Sequence, residues 1–298
     1  NELEKSYNAK LPVLRMDFNR AALYGLAYIY TKKAMLIDSQ ARALITTVSK
    51  DRVFENLYLA DKQIEWALFL DDTFIEPYLL KSWIYLFIDL QRKEQGEDIE
   101  SAIGGYFPKR LWEKNIPLLD KALNANNEKL YPENEGNIHI NLGNTYFLLV
   151  NYPRALVHYN TARKFKKTFG SDIEKALFHF HTGYTLWQNG EVKEAREEIS
   201  QAYGIYSALA AGSAAKYKNQ ILALYRYFAL FSRYEEKFNE AVNWYKKILK
   251  HAEDNKIEID KARYMQEIAF CYKELGDYDT AKSYIDTADR LLRDYPDD

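Results

Sequence analysis

Apolar residues between positions 136 and 298 recur three and four apart, the spacing of one face of a helix, in stretches broken by short polar turns. The clearest example runs from Asn141 to Ala162. Leu142, Gly143 and Tyr146 mark a first helix, and Ala155, Tyr159 and Ala162 mark one face of a second. A glycine inside a helix costs about 1 kcal/mol relative to alanine. Gly143 on the apolar face therefore predicts a close approach by the second helix, with Tyr159 filling the space beside the small residues. Asn151 is placed to cap that second helix, and Pro153 suits its first turn.

The pattern returns three times. A step of 40 residues carries Gly143, Ala155 and Ala162 onto Gly183, Ala195 and Ala202, with Gly190 in the turn. A step of 46 leads to Ala241 and Ile248, with Phe238 in the slot of Tyr152 and Val192. A further step of 40 reaches Tyr278, Ala281, Ile285 and Ala288, with Gly276 in the turn. Four helix pairs follow, at 136–168, 172–211, 213–252 and 257–294.

The spacing of Leu142, Gly143, Tyr146, Tyr152, Ala155, Tyr159 and Ala162 resembles the tetratricopeptide repeat, a helix–turn–helix unit. The first unit departs from that pattern at three places. Val150 stands where the family has a turn glycine, His139 where it has an early tryptophan, and Lys166 to Thr168 where it has a proline. The longer step resembles the variants found in kinesin light chains, mitotic-spindle adaptors and bacterial peptide-sensing regulators. The resemblance implies an all-α fold, a right-handed superhelical solenoid of antiparallel helix pairs.

Residues 1–135 read as diverged helical repeats of the same solenoid. Residues 1–12 are polar and weakly periodic. Asp17 can cap a helix to about Ile37, and Ser39 a shorter one over 39–48. Asp51 opens a helix in which Ala60, Ile64 and Ala67 repeat the spacing of the later second helices. Asp71, Asp72 and Thr73 break the chain before a helix that starts near Pro77 and ends near Arg92. That helix is apolar almost all round, through Leu79, Leu80, Trp83, Ile84, Leu86 and Phe87, which predicts cover on all sides. Residues 93–108 read as an insertion before a paired helix at 111–125. No linker separates two domains, so 1–135 and 136–298 are expected to form one continuous solenoid.

Composition narrows the function. The chain has 41 basic and 43 acidic residues, a net charge of −2, so no global field favours nucleic acid or an anionic membrane. No apolar run is long enough for a membrane span. Cys271 is alone, which excludes an internal disulfide and leaves cytoplasm and periplasm both open. The start at Asn1, without Met or a leader, reads as a processed product or a fragment. His179 and His181 lie two apart on a helix and point to different faces, unlike a helical metal pair, and His139 and His179 hold equivalent slots in adjacent repeats. No nucleophile, phosphate-loop or metal motif is visible, so neither an enzyme nor a cofactor is expected. The clusters Lys164–Lys167 and Lys246, Lys247, Lys250 are assigned to the ends of second helices, where they would offset the helix dipole.

The resemblance implies a non-enzymatic interaction module or scaffold that binds a peptide or protein segment on its concave wall. In this family the first helices line that wall. The matching residues are Asn137, Asn141 and Asn144, then His181, Tyr184 and Trp187, then Arg226, Tyr227 and Arg233. Arg226 and Arg233 have no carboxylate in the equivalent slots of the middle repeats, which predicts an acidic ligand end. Asn141 and Asn144 resemble two positions of the family's carboxylate clamp, whose lysines are absent here. A loop contact through Gly104, Gly105, Tyr106 and Phe107 is a second candidate surface. A peptide-sensing regulator and an accessory subunit of a bacterial envelope, transport or motility assembly are the alternative readings.

Overall fold

A computed structural model of the chain describes residues 22, 25–29, 31, 50–95, 103, 106–126, 132–165, 169 and 171–294. The polar stretch 1–12, most of the helix from Asp17 and the short helix at 39–48 lie outside the described residues, as do Gly104 and Gly105. Two compact units divide the chain, Asn1–Thr168 and Phe169–Asp298. The division falls one helix pair later than the change from diverged to clear repeats.

In the first unit the described helices are α1 (Lys50–Leu70), α2 (Ile75–Gln95), α3 (Trp112–Ala125), α4 (Pro132–Leu148) and α5 (Tyr152–Ala162). In the second they are α6 (Asp172–Gln188), α7 (Val192–Gly212), α8 (Ala214–Tyr234), α9 (Phe238–Asp254), α10 (Lys261–Glu274) and α11 (Tyr278–Asp294). Each helix packs on its neighbour in sequence within its unit, and α4 also reaches α2. No strand occurs among the described residues.

The repeat slots are packing positions. Tyr159 is fully buried, and a Cβ on Gly143 would sit 2.5 Å from its ring. A Cβ on Gly183 would sit 2.9 Å from Ile199. The next two repeats fill that slot with Ala229 and Ala269, both buried. Ala155, Ala195, Ala241 and Ala281 are buried on the facing helices, so a small residue meets the partner helix from each side.

Each pair turns in the same way. Asn151, Glu191, Lys237 and Asp277 donate their backbone N–H to Tyr146, Leu186, Ser232 and Tyr272 at 2.8–2.9 Å. These bonds, five residues back, are Schellman closures and require a left-handed residue in the turn. Gly190 and Gly276 supply it at φ 82° and 81°. Val150 and Glu236 take the same conformation at 59° and 58° without being glycine. Asn151 caps α5 as its side chain accepts from Arg154 N–H.

Two expectations need correction. Cover of α2 is uneven: Ile75, Tyr78, Ile84, Tyr85 and Ile88 are buried, whereas Leu90 is 39% exposed. Leu79, Leu80, Trp83, Leu86 and Phe87 are half-buried, and Trp83 and Phe87 cover each other by stacking at 5.4 Å. Lys246 and Lys247 lie in the middle of α9, away from its C-terminal end. Their ammonium groups instead lie over the rings of Tyr272 and Trp244. His139 and His179 each turn to the second helix of their own pair. His139 meets His158 at 3.0 Å between Nδ1 atoms, and His179 meets Glu198 at 2.8 Å.

The segment after α2 is tied down at its far end. Arg92 donates to the carbonyls of Phe107 and Pro108, and Asp89 accepts from Trp112 N–H. Phe107 is buried and packs edge-on against Tyr58, while Tyr106 is 38% exposed beside the same ring.

Gly143→Leu should overpack against Tyr159 and cost about 1–3 kcal/mol in urea unfolding. Gly204→Ala in α7, where a Cβ meets nothing within 4 Å, should instead stabilise by about 0.5–1 kcal/mol. Val150→Gly should relieve a β-branched residue of its left-handed conformation and stabilise by about 0.5–1 kcal/mol. An unchanged midpoint for Gly143→Leu would remove the close approach from the account.

The His139–His158 pair predicts a pH dependence. Burial, then the neighbouring His139, pushes His158 from 6.5 down to about 4, and burial also lowers His139. Between pH 6.5 and 4 the unfolded chain then binds more protons than the folded one. This contribution is complete above pH 6.5 and is lost as pH falls towards 4. His158→Gln should flatten the acid side of a plot of melting temperature against pH. An equally steep fall in the variant would show that this pair does not carry the dependence.

Candidate functional site

In the second unit α6, α8 and α10 are the first helices of successive pairs, and their side chains border a cleft of about 390 Å³. Phe180 comes from α6, and Ala223, Arg226, Tyr227 and Leu230 from α8. Arg263, Tyr264 and Glu267 come from α10, Asp260 precedes it, and Tyr245 reaches in from α9. The wall is aromatic because repeat slots three and four apart carry rings. Tyr227 meets Phe180 at 5.6 Å and Tyr184 at 5.9 Å, both edge-on. Trp187 packs against Phe231 and Tyr234 at 5.3 and 5.6 Å. Such rings present apolar area with little loss of conformational freedom when a ligand docks.

The charges in the cleft are unequally occupied. Asp260 caps α10 by accepting from Arg263 N–H at 2.9 Å. Glu267 accepts from the Arg233 guanidinium and from the Tyr245 hydroxyl. Burial, and then the negative charge of Glu267, holds the Tyr245 phenol well above its ordinary range. Arg226 lies over the Tyr264 ring at 5.9 Å. Among the described residues neither Arg226 nor Arg263 has an ion-pair partner, and both are exposed. Two guanidinium groups are thus available to a ligand carboxylate, which they can bind through paired N–H donors.

The residues expected from sequence are placed as follows. Arg226 and Tyr227 line the cleft, and Tyr184 supports Tyr227. His181 is half-buried beside Phe180, and burial pushes its imidazole down to about 4, so it is neutral at pH 7. Trp187 joins the aromatic packing. Arg233 is a correction, because its charge is answered by Glu267 and its guanidinium covers Phe270. Asn137, Asn141 and Asn144 are half-buried on α4 in the other unit. There Asn144 accepts from the Tyr159 hydroxyl at 2.8 Å, so part of its capacity is spent inside the repeat. Of the loop candidates, Tyr106 is partly exposed and Phe107 is a core anchor.

The contribution of α10 was not anticipated. Carrying the 40-residue step once more places Glu267 in the slot of Tyr227, itself equivalent to His181. The carboxylate that answers Arg233 lies one repeat beyond α8, on α10.

Among the described residues no group of three or more His, Cys, Asp or Glu side chains could hold a metal ion. None of the described helices is long and apolar enough to cross a membrane.

No family model matches the chain, and no curated protein matches it by sequence. Solved structures do match. The apo form of RapI has a TM-score of 0.56 at 17% identity, covering 88% of this chain and 67% of that one. YrrB, described as a TPR protein with an unusual peptide-binding site, has a TM-score of 0.51 at 13% identity, covering 78% and 93%. A kinesin light chain with nearly identical TPR-like repeats, from Podosopora anserina, has a TM-score of 0.51 at 14% identity, covering 72% and 96%. At such identities the likeness concerns the fold. The paired helices, the repeating small-residue slots and these neighbours together show a tetratricopeptide-repeat-like fold.

Proposed function

We propose that this chain is a non-enzymatic protein-interaction module that binds an extended peptide or protein segment in the cleft of its second unit. The observation that carries the reading is the conjunction of Arg226 and Arg263, free of carboxylate partners among the described residues, with a wall of rings. A cleft of about 390 Å³ suits a few side chains of a segment, within the range of pockets that hold small ligands. The rings would take apolar side chains, and the guanidinium groups an acidic side chain or a C-terminal carboxylate. The peptide-binding site named for YrrB supports the reading by analogy of fold alone. Asn137, Asn141 and Asn144 on α4 are a separate candidate surface within the first unit.

The test uses an array of random octapeptides with free C-termini, probed with the purified chain. Peptides rich in acidic and aromatic residues should be selected. Arg226→Glu combined with Arg263→Glu should weaken the selected peptides by at least about tenfold, since hydrogen bonds to charged groups are worth about 1.5–3 kcal/mol. Helicity should stay unchanged, because exposed charge substitutions usually move stability by no more than about 0.5 kcal/mol. Undiminished binding by the double variant would move the site elsewhere, with Tyr106 beside Tyr58 as the next place to look.

A further inference from the structure

The last helix carries an apolar stripe that its predecessors bury. Tyr278, Ile285 and Leu292 recur every seven residues on α11 and are 67%, 41% and 52% exposed. The same slots on α9 are Phe238, Tyr245 and Ala252, and on α7 they are Val192, Ile199 and Tyr206. Tyr245, Ala252, Ile199 and Tyr206 are all buried. In both cases the next first helix does the covering. Tyr206 meets Tyr217 of α8, while Phe238 and Tyr245 meet Phe270 and Tyr264 of α10. Among the described residues nothing plays that part for α11.

The charges beside the stripe indicate what does. On α9 the two flanking slots are Val242 and Leu249, and forty residues on they become Lys282 and Asp289, both exposed. Arg196 on α7 shows the condition for covering a cation at this slot. It is met by Glu235 and Glu240 and by the Ser232 hydroxyl. A cover for α11 must therefore bring an acid to Lys282 and a base to Asp289. These two are seven residues apart on one helix, too far to neutralise each other.

We propose that α11 packs against α11 of a second copy of this chain, antiparallel and centred on Ile285. The stripe is symmetric about that residue. Ile285 meets its own copy, and Tyr278 of one copy meets Leu292 of the other. In that arrangement Lys282 of each copy stands opposite Asp289 of the other, and Asp279 opposite Arg293. Asp286 meets its own copy, but it sits on the solvent side of the seam, where water screens it. The seven-residue repeat suits two helices packed side by side, and a two-fold contact of this kind closes on itself.

Sedimentation of the full chain from micromolar concentration upward decides the matter. The parent should form a dimer, and Ile285→Asp should be monomeric with unchanged helicity. Lys282→Asp or Asp289→Lys alone should raise the dimer dissociation constant by about tenfold, since each change sets two like pairs across the dyad. Both changes in one chain should restore association towards that of the parent, because the pairs re-form with their signs exchanged. A monomeric parent would overturn the proposal, whether or not the stripe then captures a helix of another protein. So would a dimer indifferent to Ile285→Asp, or a doubly exchanged chain that associates no better than either single variant. A dimer abolished by Trp66→Asp instead would place the contact at the exposed Trp66 and Phe69 on α1.

Discussion

Two helices can approach closely only where one of them gives up side-chain volume, and this constraint sets the register of every recognisable repeat. Gly143 leaves room for the Tyr159 ring, and Gly183 leaves room for Ile199. The Tyr159 hydroxyl then donates to Asn144 on the first helix, so the ring is fixed at both ends. With the pair locked, the outward faces of the first helices have little freedom in where they point. The cleft of the second unit is a consequence, since Tyr227 and Glu267 hold one slot on α8 and α10.

The repeats were legible because their slots tolerate few residue types. Ala195, Ala241 and Ala281 are buried at the spacing read from the chain, as are Ala202 and Ala288. The first unit was harder to read. Its Asp61–Lys81 ion pair is buried between α1 and α2 at 2.8 Å, and a charged residue on a buried face defeats a hydrophobic pattern. The turns of Val150 and Glu236 depart from the glycine rule, yet they close with the same bonds as Gly190 and Gly276. A left-handed residue costs about 1–2 kcal/mol, which the packing of two helices exceeds.

The candidate site was half legible. Arg226 and Tyr227 line the cleft, as their register on the first helix suggests. Arg233 was misjudged for a reason that applies to any helical array. The partner of a side chain on a first helix sits one repeat further on, some 34 residues away in sequence for Arg233 and Glu267. Local charge balance cannot show such a pair, whereas carrying the period through the last repeat can. Phe107 followed a similar rule, since its anchor, Arg92, lies 15 residues earlier at the end of α2.

Cys271 is fully buried on α10, and burial, followed by Glu267, pushes its thiol up to about 11. The sequence holds one cysteine, so a thiol reagent has a single target. In the closed protein that target is shielded from the reagent and is protonated at neutral pH. Labelling therefore requires α10 to part from its neighbours, and where reclosing is fast its rate measures the fraction of time that α10 stands open. Arrays of repeats need not open as a whole, because each pair leans mainly on the next. The chain thus carries a natural reporter of the opening of α10, readable without adding a probe.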